Sequence, residues 1–181
     1  MIDGDLRRPS IHHYLRLPNS SGLSSAFLAN PSVLPSFLKQ HPNNRLYVLT
    51  SGPIPPNPVE ILGSAKMGTL IGLLREHFDV IIVDSPPMLG LADAGLWSTH
   101  CDGIVLVARQ GRTHQGSLRE AAIQASASHK PILGAVINDA KAGRAQAGYY
   151  EYTSTGRRRR FSLSNLRGAL APRRTAAQRS R

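Results

Sequence analysis

The chain has 181 residues, 41% hydrophobic and 6% aromatic, which suits one domain with an ordinary aliphatic core and a tail. Its net charge of +11 is uneven: residues 157–181 hold nine arginines and no acid, so the remainder carries 13 Lys/Arg against 11 Asp/Glu, or +2. No apolar run approaches the roughly 20 residues of a membrane span, Asp3 and Asp5 stand where a signal peptide would be basic, and the lone Cys101 excludes an internal disulfide, so a reducing cytoplasm is expected.

In chain order, Met1 and Ile2 read as the end of a strand cut by the start of the chain. Ser24 to Phe27 and Ser32 to Leu38 are short helix candidates. Leu46 to Thr50, Asp79 to Asp84, Gly103 to Ala108 and Ile132 to Ile137 are short runs rich in Val, Ile and Leu. They lack apolar–polar alternation, the pattern of strands covered on both faces in a parallel sheet. Between them, Pro58 to His77 spaces Val59, Leu62, Leu70, Leu73 and Leu74 in roughly helical fashion, with Asn57 as cap and Pro58 in the first turn. Thr113 to Ser128 is an Ala-rich helix candidate. The alternation predicts an α/β fold, a mostly parallel sheet flanked by helices. After Asn138 the chain turns small and polar, then Arg-rich. The expected division is a folded domain over residues 1–140 and a flexible basic tail over 141–181.

The acids carry the chemistry. Asp84 closes an apolar run and precedes Ser85-Pro86-Pro87. Ligands of open parallel sheets sit beyond the carboxyl ends of strands, and a carboxylate there suits magnesium; the alternative is an Asp that caps a turn. Asp3 and Asp5 also follow a strand end, and their i, i+2 spacing would aim both carboxylates at one crevice; the alternative is a polar loop, since an isolated Asp-x-Asp is common. Neighbouring carboxylates repel unless a cation or proton compensates. Gly4 allows close backbone approach, and Arg7 and Arg8 face either phosphates or solvent. The seven His are scattered, and His12-His13 has no metal-ligand companion, so both read as surface residues. Cys101 reads as a partly buried small residue, and Ser85 lacks a His–Asp arrangement that would make it a nucleophile.

MIDGDLRRP, LTSGPIPPNPVEIL and FDVIIVDSPP, in this order and spacing, resemble bacterial protein-tyrosine kinases of the polysaccharide-export type, P-loop ATPases related to the MinD/ParA group. The resemblance covers roughly Met1 to Tyr152. It implies that Asp3 and Asp5 are the Walker A′ aspartates and Asp84 the Walker B aspartate, together catalytic and magnesium-binding. It implies that Asn138 and Arg109 line the nucleotide pocket of ATP. Tyr149, Tyr150 and Tyr152 fall where family members are phosphorylated between neighbouring subunits, and each phosphate would add about −1.5 to −2 charge. The implied partners are a membrane-bound polysaccharide chain-length regulator (co-polymerase) and further copies of the chain. The implied location is cytoplasmic, at the inner face of the membrane. The Arg-rich tail is not expected of the family and suits an anionic surface.

The family's phosphate loop, Gly-x-x-x-x-Gly-Lys-Ser/Thr, occurs nowhere in the sequence. That loop neutralises the β- and γ-phosphates, and its strand is central in the related sheets. The expectation is therefore an N-terminally truncated P-loop domain, inactive as this chain, belonging to an ATP-dependent tyrosine autokinase that regulates capsule or exopolysaccharide production. Two other readings stand beside it: a MinD/ParA-type ATPase switch, and a non-enzymatic remnant acting through its basic tail.

Overall fold

A computed structural model describes residues 1–41 and 46–140. The chain divides into two units, Met1–Ala140 and Lys141–Arg181, and the description concerns the first. The short strand β1, Ile2–Asp3, lies between two parallel neighbours. On one side Asp3 N–H donates to the Leu49 carbonyl and Leu49 N–H donates to that of Met1, both at 2.9 Å. On the other side is β4, Val83–Asp84, in parallel register with Ile2 opposite Val83 and Asp3 opposite Asp84. Leu49 follows β3, Tyr47–Val48, which pairs antiparallel with β2, Lys39–Gln40. A second parallel pair joins β5, Ile104–Arg109, to β6, Ile132–Asn138, through α6, Gln115–Ser126. Parallel pairs with helical crossovers agree with the α/β reading of the sequence.

The helices differ from the expected ones in instructive ways. The segment read as one helix over Pro58 to His77 is two, α3 (Pro58–Leu62) and α4 (Ala65–His77). Ser64 ends the first and caps the second: its hydroxyl donates to the Ile61 carbonyl at 2.8 Å and accepts from Met67 N–H at 3.2 Å. A serine offering the backbone such bonds breaks a helix more readily than apolar spacing reveals. Asn57 does stand at the N-cap of α3, but its side chain makes no capping bond and instead donates to Glu60 at 3.2 Å. Pro31–Phe37 is a 3₁₀ helix, since Pro35 inside it cannot donate an N–H. Three helices complete the unit: α1 (Ile11–Leu15), α2 (Leu23–Leu28) and α5 (Asp93–Thr99).

The apolar core gathers β1, Leu49 and these helices. Met67, Leu70, Ile71 and Leu74 line one face of α4 at helical spacing and meet Ile2, Leu6, Leu23, Leu62 and Trp97. Outside this core the expectation of strands covered on both faces fails. Val80 and Ile82 before β4 are 51% and 60% exposed, and every residue of β6 is exposed. In β5 only Leu106 and Ala108 are buried, on the opposite face from exposed Val105 and Val107. No helix among the described residues is long and apolar enough to cross a membrane.

Candidate functional site

The parallel register sets Asp3 beside Asp84, and Asp5 follows two residues later. The loop that carries Asp3 and Asp5 is clamped from several sides. Gly4 N–H donates to the Asp84 carbonyl at 2.7 Å, and the Trp97 indole N–H donates to the Gly4 carbonyl at 2.9 Å. A Cβ on Gly4 would fall 2.7 Å from both the Asp84 oxygen and the Trp97 ring nitrogen, so only glycine lets the loop lie this close. Arg7 reaches across to α5 and grips buried Asp93 with a two-pronged ion pair, Nε to Oδ2 at 2.9 Å and Nη2 to Oδ1 at 3.0 Å. Arg7 is thus neither a phosphate contact nor a free solvated charge; its guanidinium is spent on holding the loop to α5. Arg8 is exposed.

The three acids occupy different environments. Asp3 is fully buried, and its Oδ2 accepts the Ile11 N–H at 3.1 Å, at the start of α1. Burial pushes its carboxyl pKa up, the Ile11 hydrogen bond pulls it back, and the negative charges of Asp84 and Asp5 add to the rise. Its Oδ1 makes no hydrogen bond. Asp5 is half-buried and uses Oδ1 to accept the backbone N–H groups of Arg7 and Arg8, at 3.0 and 2.8 Å, which shapes the turn. Asp84 is exposed at the end of β4, and its carboxyl is also raised, by partial burial first and the charge of Asp5 second.

This is an open acidic cluster and not a closed metal cage. Among the described residues no three His, Cys, Asp or Glu side chains are arranged to hold a metal ion by themselves. Magnesium seldom needs such a cage, since it keeps several waters and takes one or two carboxylates together with substrate phosphates. Asp5 Oδ2 and the Asp84 carboxylate are the accessible oxygens here. Partial burial first and the charge of Asp5 second raise the Asp84 carboxyl, and a hydrated dication would relieve both costs. The residues present therefore fit a magnesium ion held largely through water.

Asn138 and Arg109 end β6 and β5 and stand opposite each other in register. Arg109 pairs with Asp139, and Asn138 Oδ1 accepts the Asp139 N–H at 2.9 Å. Both residues are exposed, and neither bonds to the acidic cluster among the described residues. Tyr149, Tyr150 and Tyr152 lie outside the described residues, as does the Arg-rich tail. The proline-rich stretch is anchored at its start by Asn19, whose Oδ1 accepts the Gly52 N–H at 2.8 Å and whose Nδ2 donates to the Gly52 carbonyl at 3.2 Å. Gly52 has φ +75°, a conformation that favours glycine.

Sequence reasoning missed three contributors to this site. Asp93 and Trp97 face the acidic loop from α5 at an i, i+4 spacing, and a lone Trp four residues after an Asp was the available signal. His12, read as a surface residue, is half-buried, and its Nδ1 is buried without a hydrogen bond.

Comparisons with known proteins bear on the same residues. No family model matches the chain. Tyrosine-protein kinase YwqD of Bacillus subtilis is 37% identical over 151 residues, which are 83% of this chain and 63% of YwqD. Tyrosine-protein kinase CpsD of Streptococcus agalactiae is 30% identical over 160 residues, 88% of this chain and 69% of CpsD. The solved kinase domain of the Escherichia coli tyrosine kinase Etk superposes with a TM-score of 0.71 at 30% identity, covering 78% of this chain and 56% of that domain. The chain thus spans less than two thirds of YwqD and of the Etk domain, while over the shared part sequence and backbone agree. With the aspartate loop, the strand-end aspartate and the parallel α/β frame all in place, the chain belongs to the bacterial tyrosine-protein kinases.

Proposed function

We propose that this chain forms the acidic, magnesium-handling part of an ATP-dependent protein-tyrosine autokinase that regulates capsule or exopolysaccharide production. The observation that carries the reading is the parallel register of Asp3 and Asp84, which gathers the loop acids and the strand-end acid at one place. Phosphoryl transfer depends mainly on positioning and charge stabilisation. Magnesium, when bound, would supply positive charge that neutralises the phosphate oxygens of ATP. Asp84 and the free oxygen of Asp5 are the residues that would hold it, largely through water. Asp3, buried behind them, adds its charge and can orient the pair. Asp84 or Asp5 is placed to accept the proton of an incoming tyrosine hydroxyl. Asn138 and Arg109, at the carboxyl ends of their strands, would meet the nucleotide base, where an amide can both donate to and accept from a purine edge. Tyr149, Tyr150 and Tyr152 are the substrate hydroxyls, phosphorylated between copies of the chain. The partner is a membrane-bound polysaccharide chain-length regulator, which brings the kinase to the inner face of the membrane.

The test joins this chain to the part of YwqD that it does not cover and measures phosphotyrosine formed with ATP and magnesium. Asp84→Asn should lower the rate by about 10- to 100-fold while the far-ultraviolet circular dichroism stays unchanged. An undiminished rate would remove Asp84 from the mechanism, and robust ATP hydrolysis with silent tyrosines would favour an ATPase switch.

A further inference from the structure

Two buried side-chain atoms among the described residues make no hydrogen bond, Asp3 Oδ1 and His12 Nδ1. Asp3 ends β1 and His12 lies in the first turn of α1, whose start is tied to Asp3. Ile11, the residue before His12, donates its N–H to the other oxygen of Asp3 at 3.1 Å. One orphan is an anionic acceptor with two further carboxylates around it; the other is a ring nitrogen able to carry a proton. His13 packs against the His12 ring, with centroids 3.9 Å apart. Buried polar atoms rarely stay unpaired, and these two are complementary.

We propose that His12 and Asp3 form a buried pair in which the protonated Nδ1 of His12 donates to Asp3 Oδ1, making His12 the positioning residue of the acidic loop. Both oxygens of Asp3 are then engaged by the start of α1, Oδ2 by the Ile11 N–H and Oδ1 by His12. Asp3 becomes a fixed buried charge, and Asp5 Oδ2 and Asp84 are left as the oxygens that meet the metal's water shell. This last consequence rests on the magnesium reading of the site; the pair itself does not. A histidine whose ring orientation and tautomer are set by a carboxylate is a recurrent way of fixing outer-shell geometry.

The pair has a spectroscopic signature. At about pH 8, where an ordinary histidine is neutral, two-bond nitrogen–proton correlation spectra of the full chain should show His12 in the Nδ1–H tautomer. Asp3→Asn should reverse it, because the amide oxygen keeps the Ile11 N–H and the amide NH₂ then requires an accepting Nδ1. An Nε2–H tautomer in the unaltered chain, or a tautomer indifferent to Asp3→Asn, overturns the proposal. A second arm titrates Mn²⁺ into the chain and reads the free ion by electron paramagnetic resonance. His12→Leu should weaken binding about tenfold, and His12→Asn, which returns an N–H donor near the Nδ1 position, should restore it. Equal binding by all three proteins counts against a positioning role. If the unaltered chain binds no Mn²⁺, the magnesium reading fails, and the tautomer result still decides whether the pair exists.

Discussion

The β1–β4 region and the β5–α6–β6 region are written in the same sequence language, short Val-, Ile- and Leu-rich runs that end in a polar residue. Their surroundings differ sharply. Ile2 and Leu49 are 2% and 0% exposed, whereas Val107 and Leu133 are 68% and 67% exposed. The main apolar cluster draws on residues from Ile2 to Trp97, and residues 103–140 add nothing to it among those described. The acidic loop sits on the well-packed region, held by Trp97, Asp93 and the β4 backbone. The two candidate nucleotide-contacting residues, Arg109 and Asn138, sit on the exposed one. Apolar composition marks a strand; the neighbours decide whether it becomes core.

The largest expected consequence is in local stability. Opening free energy follows the number of buried contacts. Amides of Asp3, Gly4 and Leu49, hydrogen-bonded within the packed region, should exchange with solvent on the order of a thousandfold more slowly than those of β6. Native-state hydrogen exchange of the chain read by NMR measures both sets at once. Equal protection would mean that the two regions open as one unit and would erase the contrast.

A matched pair of glycine substitutions sharpens the comparison. Gly4→Ala drives a Cβ to within 2.7 Å of the Asp84 carbonyl and the Trp97 ring, and neither the backbone nor the packed indole yields cheaply. The expected loss is about 1–3 kcal/mol, seen as a lower urea midpoint. Gly134→Ala in β6 meets nothing within 4 Å, and should change stability by about 0.5 kcal/mol or less, with a gain the more natural sign. Trp97→Phe probes the same clamp more gently. It keeps most of the buried ring but removes the indole N–H bonded to the Gly4 carbonyl, at an expected cost of about 1–3 kcal/mol with the carbonyl left unpaired. A change below that scale would show that shape, and not the hydrogen bond, holds the loop.

Part of this is legible in the sequence alone. The β5, α6 and β6 segments lie close to their expected bounds and Asp84 does close its strand beside Asp3, but the Asp79 to Asp84 run forms a strand only over Val83–Asp84 and the Leu46 to Thr50 run only over Tyr47–Val48. Local chemistry hid the rest. The Gly63-Ser64 break in the long helix depends on one hydroxyl choosing backbone partners, which spacing cannot express. The fate of Arg7 depended on Asp93, 86 residues away. His12 looked like a surface residue because its significance comes from the turn that folds α1 back onto Asp3. The exposure of β6 was unreadable for a different reason: a run of apolar residues states what a strand prefers and not what surrounds it.

The smallest effect concerns the charge that the site keeps. Asp84 has a raised carboxyl pKa, from partial burial and then from Asp5. A carboxyl raised on folding binds its proton more tightly in the folded state than in the unfolded one. Stability therefore falls as pH climbs from the ordinary Asp range through the raised value, and the penalty is fully present above it. Asp84→Asn removes that penalty, so the variant should be slightly more stable than the unaltered chain at neutral pH. The gain should disappear below the ordinary Asp range, where both side chains are uncharged. It will be small because Asp84 is exposed to water that screens it. Magnesium should shrink the gap in the same direction by stabilising the unaltered chain alone, as any ligand specific to the folded state does. Thermal melts at neutral and acid pH, with and without magnesium, read all four combinations. A variant less stable at neutral pH would show that Asp84 makes favourable contacts in the folded chain, and that its charge is not held there at a cost to stability.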